Sequence, residues 1–282
     1  LRDSKLGKET NNIDFELKHE NKPSKAIMLF HGLTGSPFEM KKYAVHLHKC
    51  GYDVFCYSLP GHGSRAHEIE DILYTDWTNM AQEKYNKLRP NYKEFYVSGL
   101  CLGAVLSIYL AQQNKDVTAV VALSTTLFLD GWTIPWYNFL LPLGLNTIMR
   151  YFYTFPEREP YGIKNESTRR KIALLMSKTT VAMDHYPLSC IYELLKFSKE
   201  VRKDIKLLDC PLLLIHSKDD DLTSTKSAKF VYNNCACNIK EYIELTDSYH
   251  MVLYDNERKF VFEKAVEFMA KIANIKEEAA CI

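Results

Sequence analysis

One cysteine stands between two glycines in Gly99-Leu100-Cys101-Leu102-Gly103, at the end of the apolar run Phe95-Tyr96-Val97 and ahead of a helical stretch. Glycines two residues either side permit a strained strand-to-helix turn with no room for side chains, which leaves the residue at the apex projecting outward. Such a turn is the geometry of a nucleophile elbow, here with sulfur in place of the usual serine oxygen. A thiolate attacking there needs a base and a group to orient that base. His250 lies in a loop before the last helix, where little in the packing calls for an imidazole, and Asp219-Asp220-Asp221 follow a late apolar run. A five-residue pattern alone is weak, since an ordinary buried cysteine fits a tight turn too. The surrounding elements have to decide.

Those elements alternate. Residues 12–20 alternate apolar and polar as an edge strand does, with Ile13, Phe15 and Leu17 on one face. Ala26-Ile27-Met28-Leu29-Phe30 is continuously apolar, the pattern of a strand covered on both faces, and it runs into the glycine-rich loop His31-Gly32-Leu33-Thr34-Gly35. A helix over 38–49, a strand over 52–57, a loop at Leu59-Pro60-Gly61-His62-Gly63-Ser64 and a helix over 74–88 lead to the cysteine strand. A helix over 102–114, a strand over 117–123, and later a strand over 211–216, a helix over 224–233, a strand over 239–245 and a helix over 257–273 complete the rhythm, with a frayed tail from Lys276. This order predicts an α/β fold with a mostly parallel sheet and helices on both faces, so functional residues belong at the C-terminal ends of the strands.

Between residues 125 and 208 the rhythm breaks. The span carries Trp132, Trp136, Tyr137, Phe139, Leu140 and Leu141, a density of apolar side chains that needs a core or a ligand to cover it. Pro135, Pro142 and Gly144 interrupt it, which argues against a membrane span. We read it as a helical cap inserted late in the chain, with 1–124 and 209–282 forming the core and Trp132, Trp136, Phe139 and His185 as candidate pocket residues. Amphipathic stretches over 167–176 and 190–201 close the insertion.

Composition narrows the chemistry. Thirty-six basic and thirty-five acidic residues leave a net charge of +1, so no field favours nucleic acid or an anionic surface. The eight cysteines have no C-x-x-C and no zinc-ligand spacing, which fits reduced thiols in the cytoplasm. No metal or cofactor is expected. His62 and His67 lack a carboxylate or cysteine set to complete a metal site, and His31 reads as a loop-bracing residue. The sequence begins at a leucine, consistent with an upstream segment having been trimmed, and contains neither a signal-like region nor ~18 consecutive apolar residues.

His31-Gly32-Leu33-Thr34-Gly35 after an early strand, the Cys101 elbow, Asp220 after a late strand and His250 before the final helix occur in the order of the α/β-hydrolases. From about residue 24 to 272 the chain resembles the bacterial carboxylesterase and monoacylglycerol-lipase group of that superfamily, departing from it at the cysteine. The resemblance implies that Cys101 is the nucleophile, His250 the general base and Asp220, the middle of three aspartates, the residue that orients it. It also implies an oxyanion hole made by the backbone N–H groups of Leu33 and Leu102.

The expected activity is hydrolysis of a carboxylic ester or thioester with an apolar acyl group, through an acyl-enzyme on Cys101. Because that intermediate is a thioester, open to amines and thiols as well as water, acyl transfer from a thioester donor is the alternative. The substrate is a small or carrier-bound acyl compound. A third reading, a silent binding protein of the same fold, has no use for the full Cys-His-Asp set.

Overall fold

A computed structural model describes residues 14–21, 23–62, 69–135, 145, 147–178, 183 and 185–280. The apolar runs become the middle of a sheet that holds seven strands among the described residues. In chain order these are β1 (Phe15–Leu17), β2 (Lys25–Phe30), β3 (Asp53–Cys56), β4 (Glu94–Leu100), β5 (Ala119–Leu123) and, far later, two more, with α1 (Lys41–Lys49), α2 (Tyr74–Leu88) and α3 (Leu102–Gln113) as the crossovers. The strand order is β1-β3-β2-β4-β5 and then the two late strands; β1 pairs antiparallel with β3, and all other neighbours are parallel.

Alternation along β4 shows why the central strands are apolar throughout. Phe95 and Val97 enter a cluster with Trp77 of α2 and Val105 of α3, while Tyr96 and Leu100 point to the other face and meet Tyr43 and Leu47 of α1. A parallel sheet covered by helices on both faces has no side to leave polar.

After β5 the chain leaves the sheet and returns at the strand whose Leu212 pairs with Val120, so residues 124–211 are an insertion between adjacent strands. Its described elements are β6 (Thr154–Pro156), α4 (Glu166–Lys178), β7 (His185–Pro187) and α5 (Leu188–Lys203), with β6 and β7 antiparallel. The amphipathic stretch over 190–201 becomes α5, but its apolar face does not close a separate layer. Leu194, Phe197 and Val201 are buried in the cluster that α2 and α3 share with the sheet, and Phe197 stacks on Tyr74 at 5.6 Å. Elsewhere the insertion is open to solvent at Tyr151, Phe152 and Tyr153.

The chain then forms β8 (Leu212–Ser217), α6 (Lys226–Asn234), β9 (Lys240–Leu245) and α7 (Arg258–Ala280). The tail expected to fray from Lys276 stays helical to Ala280, in keeping with the helix-favouring run Lys276-Glu277-Glu278-Ala279-Ala280. At the other end, strand pairing is limited to Phe15–Leu17, and Ile13 lies outside the described residues. The helix expected from Phe38 starts as a 3-10 turn over Pro37–Met40 and becomes α-helical at Lys41. No helix of the described residues is long and apolar enough to cross a membrane.

Candidate active site

Cys101 caps α3 with φ of 59°, a left-handed conformation rare for a residue with a side chain, and its N–H donates to Leu123 O at 3.0 Å. The flanking glycines make this affordable. A Cβ on Gly99 would stand 2.1 Å from the carbonyl of Gly103, and one on Gly103 would stand 2.0 Å from Phe30 O. Gly103→Ala is therefore expected to destabilise the protein by more than about 4 kcal/mol, because the obstacle is strand backbone that cannot rotate away. Urea unfolding of parent and variant measures this; equal midpoints would mean that the elbow is not tightly packed.

The sulfur is buried, and the Thr126 hydroxyl lies 3.3 Å from it, at the C-terminal end of β5. Across the strand ends, His250 Nδ1–H donates to both carboxylate oxygens of Asp220, at 3.0 and 2.8 Å. That pairing fixes the tautomer and turns Nε2 away from the acid. Nε2 is buried near the Cys101 sulfur, without a well-aligned hydrogen bond. Burial works against charge on the imidazole, yet the Asp220 carboxylate and the nearby Cys101 sulfur together hold its pKa well above 6.5. Asp220 in turn stays below its ordinary value despite burial, because His250 faces it and Thr223 N–H donates to it at 2.9 Å.

The three consecutive aspartates have three different surroundings. Asp219 is partly exposed and pairs with Lys164 at 3.2 Å, Asp220 holds the imidazole, and Asp221 accepts the His250 backbone N–H at 3.2 Å. His216 also lands beside the acid, 3.5 Å from Asp220, where burial pushes its pKa down and Nε2–H donates to Thr223 O at 3.0 Å. It is a neutral packing partner.

The glycine-rich loop after β2 arrives beside the cysteine, where a Cβ on Gly32 would stand 3.4 Å from Cys101 Cβ. His31 is neutral, its pKa pushed to about 3 by burial and the neighbouring His62; Nδ1–H donates to Gly32 O at 2.8 Å and Nε2 accepts from Leu59 N–H at 3.1 Å. This braces the loop, as expected. Among the described residues neither Leu33 N–H nor Leu102 N–H donates to a protein acceptor.

Two carboxyl groups that the sequence reading did not single out border the same space. Glu39 accepts the Gly32 N–H at 3.0 Å, and Glu157, just past β6, lies within hydrogen-bond reach of Tyr186 on β7. Burial lifts both from the ordinary 4.5 to about 7, and each also feels His250. The folded protein thus holds protons here that the unfolded chain releases, so stability falls as pH rises from about 4.5 to about 7. Glu39→Gln with Glu157→Gln is expected to flatten the Tm-against-pH curve across that window. Parallel curves for parent and variant would acquit these two groups.

The insertion is fastened to the site at several points. Met183 N–H donates to Thr34 O at 2.9 Å, Met251 N–H to Gly162 O at 2.7 Å, and the buried Asp255 accepts from the backbone of Lys164, Asn165 and Tyr249 at 2.7 to 2.9 Å.

The candidate pocket residues fare differently. Trp132 stands 58% exposed, its indole N–H donating to Asp219 O at 3.0 Å and its ring against Tyr249, beside the acid loop. His185 is half-buried on β7, paired in register with Pro156. Trp136, Phe139 and His67 lie outside the described residues. His62 packs against His31 and Trp77, with Nδ1 at 2.9 Å from Pro60 O.

Thr126, Glu39, Glu157 and Tyr186 were all missed, and Asp221 was named only as one of three candidate acids. For Thr126 a signal existed: it lies three residues beyond the end of a central parallel strand, where functional groups gather. Glu157 and Tyr186 had none, because no periodicity links an irregular insertion to the sheet beneath it.

Comparison with known proteins places this arrangement. The family model Hydrolase_4, described as serine aminopeptidase S33, matches residues 21–257. The thermostable monoacylglycerol lipase of Bacillus sp. (strain H-257) is 25% identical over 258 residues, covering 90% of this chain and 93% of the lipase. The carboxylesterase of Bacillus subtilis (strain 168) is 22% identical over 249 residues, covering 88% and 93%. The crystal structure of Paleococcus ferrophilus monoacylglycerol lipase superposes with a TM-score of 0.76 at 16% identity, covering 92% of this chain and 98% of that one.

Proposed function

The chain belongs to the Hydrolase_4 family of α/β-hydrolases and is a carboxylesterase-like hydrolase, and from that premise we propose that it cleaves an ester of an apolar acyl group through a covalent thioester on Cys101. The observation that carries this reading is the His250–Asp220 pair, with both carboxylate oxygens within 3.0 Å of Nδ1 and the imidazole electrostatically coupled to the Cys101 sulfur.

The steps follow from the groups present. His250 Nε2 takes the thiol proton, and the sulfur attacks the ester carbonyl. The oxyanion that forms accepts from Leu33 N–H and Leu102 N–H, which donate to no other acceptor among the described residues. The helix α3 starts at this point, and its positive end favours both the thiolate and the oxyanion. The imidazolium, stabilised by Asp220, then protonates the departing alkoxide, and the C–O bond breaks. In the second half-reaction His250 takes a proton from water, hydroxide attacks the thioester, and the sulfur leaves with the proton returned to it. Cysteine changes the balance between the halves. Thiolate is the better leaving group, so an amine, alcohol or thiol can compete with water for the acyl group, which keeps acyl transfer as the second reading.

The cap reading of 125–208 is supported by the contacts of Met183 with Thr34 and of Gly162 with Met251, which hold the insertion over the loop and the histidine. α5 is the exception, serving the core. An acyl chain of the kind the relatives' names imply would lie between these layers, beside Glu157, whose carboxyl, lifted by burial to about 7, offers a donor to a substrate oxygen in its protonated form.

Incubation with p-nitrophenyl esters of several chain lengths, followed by intact mass measurement, tests the proposal. The expected result is a burst of p-nitrophenol and a mass increase of one acyl group, mapped to the peptide holding Cys101. A folded protein that releases no p-nitrophenol and acquires no acyl mass would refute it. Added amine or alcohol acceptors then separate hydrolysis from transfer by their products.

A further inference from the structure

The mechanism above makes no use of Thr126, yet its side chain touches the sulfur. Its hydroxyl lies 3.3 Å from Cys101 Sγ and 3.1 Å from Ser124 O, and it is almost fully buried. A hydroxyl carries one proton and two lone pairs, so it cannot donate to both at full strength. Two arrangements satisfy every atom. With a neutral thiol, S–H donates to Thr126 Oγ1 and the Thr126 O–H donates to Ser124 O. With a thiolate, which only accepts, the hydroxyl swings its proton from Ser124 O to the sulfur.

The framework around this hydroxyl is rigid. Ser124 has φ of 45°, a left-handed conformation that costs energy outside glycine, and it donates its Oγ to His250 O at 2.7 Å. Thr126 O accepts from Ser198 Oγ of α5 at 3.2 Å. The segment just past β5 therefore holds the backbone of the histidine with one residue and the sulfur with another. Meanwhile the His250 imidazole stands close enough to the sulfur to interact with it but makes no well-aligned hydrogen bond, so the Thr126 hydroxyl is the better-aligned partner of the sulfur in this state.

We propose that Thr126 is a catalytic residue of this chain, a rotating hydroxyl that parks the thiol before reaction and becomes the hydrogen-bond donor to the Cys101 thiolate once the proton has passed to His250. The balance is simple. The S–H bond breaks, its electron pair stays on sulfur, the proton forms a bond to Nε2, and the Thr126 proton changes acceptor without leaving its oxygen. The proposal rests on Cys101 as nucleophile, and it can be tested apart from turnover.

The test is the rate at which iodoacetamide alkylates Cys101, followed by mass measurement of its peptide in parent, Thr126→Val and Thr126→Ser. The ionisable groups that act on the sulfur are His250 from the last loop and Tyr186 from the insertion, and those that act on His250 are Asp220 and Asp221 from the acid loop, Glu39 from the turn after the glycine-rich loop, and Glu157 from the insertion. All are unchanged in these variants. Loss of a hydrogen bond to a charged acceptor is expected to slow alkylation about tenfold at pH 6 in Thr126→Val. At pH 10, where thiols are ionised in any case, the variant should match the parent, and Thr126→Ser should match it at both values. A merely structural role would loosen the site and shift both pH values together. Equal rates for Thr126→Val and parent at pH 6 would overturn the proposal. Should Thr126→Val fail to fold, Thr126→Ala is read in the same way, with its Tm as the check. If alkylation behaves as expected but no acyl-enzyme forms, the esterase reading fails alone.

Discussion

Cys101→Ala is expected to lower turnover of a p-nitrophenyl acyl ester by about 10³ to 10⁴-fold and to abolish acyl labelling of the protein. The argument is one of position. Cys101 projects from the apex of a turn that its glycines force open, at the C-terminal end of the middle strand β4 and at the first turn of α3. The side chain reaches only the space bordered by the loop after β2, the Thr126 hydroxyl and His250. Alanine removes the sulfur with little change in packing, since the site is bounded by backbone that the substitution does not touch. The variant should fold with an unchanged Tm. Labelling of Cys101→Ala at the parent's rate would move the nucleophile elsewhere. Cys101→Ser is the informative companion. It supplies a hydroxyl nucleophile but forgoes the lower pKa of a thiol, so a slower acylation is expected from it, with a more hydrolysis-biased product ratio.

Asp220→Asn should be nearly as damaging, a loss of about 10³ to 10⁴-fold in kcat/KM, whereas Asp219→Asn one residue earlier should stay within about twofold of the parent. Two effects add at Asp220. An amide can present its NH₂ to Nδ1 and select the wrong tautomer, and it withdraws the negative charge that, against burial, holds the imidazole pKa well above 6.5. With that charge gone the His250 pKa falls, and the imidazolium needed to protonate the leaving group is less stable. Asp219, by contrast, points to Lys164 at the surface, where an ion pair contributes little. Steady-state kinetics on the two variants, with Tm as the control for folding, measures the contrast. If both variants lose activity alike, the aspartates act as a charged cluster and not through a single oriented bond.

How much of this was legible in the chain can be judged from particular residues. Apolar runs such as Ala26–Phe30 and Val120–Leu123 have to be covered on both faces, and this alone points to a parallel sheet with helices on either side. The strand and helix bounds differ from expectation mainly at ends, where capping and fraying are governed by neighbours: a 3-10 turn ahead of α1, a shorter β1, and an α7 that runs on to Ala280. The insertion was harder. α5 carries an amphipathic face, but sequence does not say which partner that face meets, and it meets α2 and α3. Trp132 was expected against a ligand because an aromatic ring is costly to leave in water. It instead uses its N–H on Asp219 O and its ring on Tyr249, an outlet that only the nearby acid loop supplies.

The sequence by itself determined the sheet, the crossovers, the elbow around Cys101 and the order in which sulfur, acid and imidazole occur, because each depends on local backbone demands: glycine where a Cβ would collide, apolar runs where both faces are covered. Only the tertiary structure decided that Asp220, not Asp221, meets Nδ1 of His250, that Thr126 reaches the sulfur, and that Glu39 and Glu157 border the same space with their pKa values lifted to about 7. These facts depend on which side chains converge from strands and loops far apart in the chain, and on how little water surrounds them there, and neither property is written in any short stretch of residues.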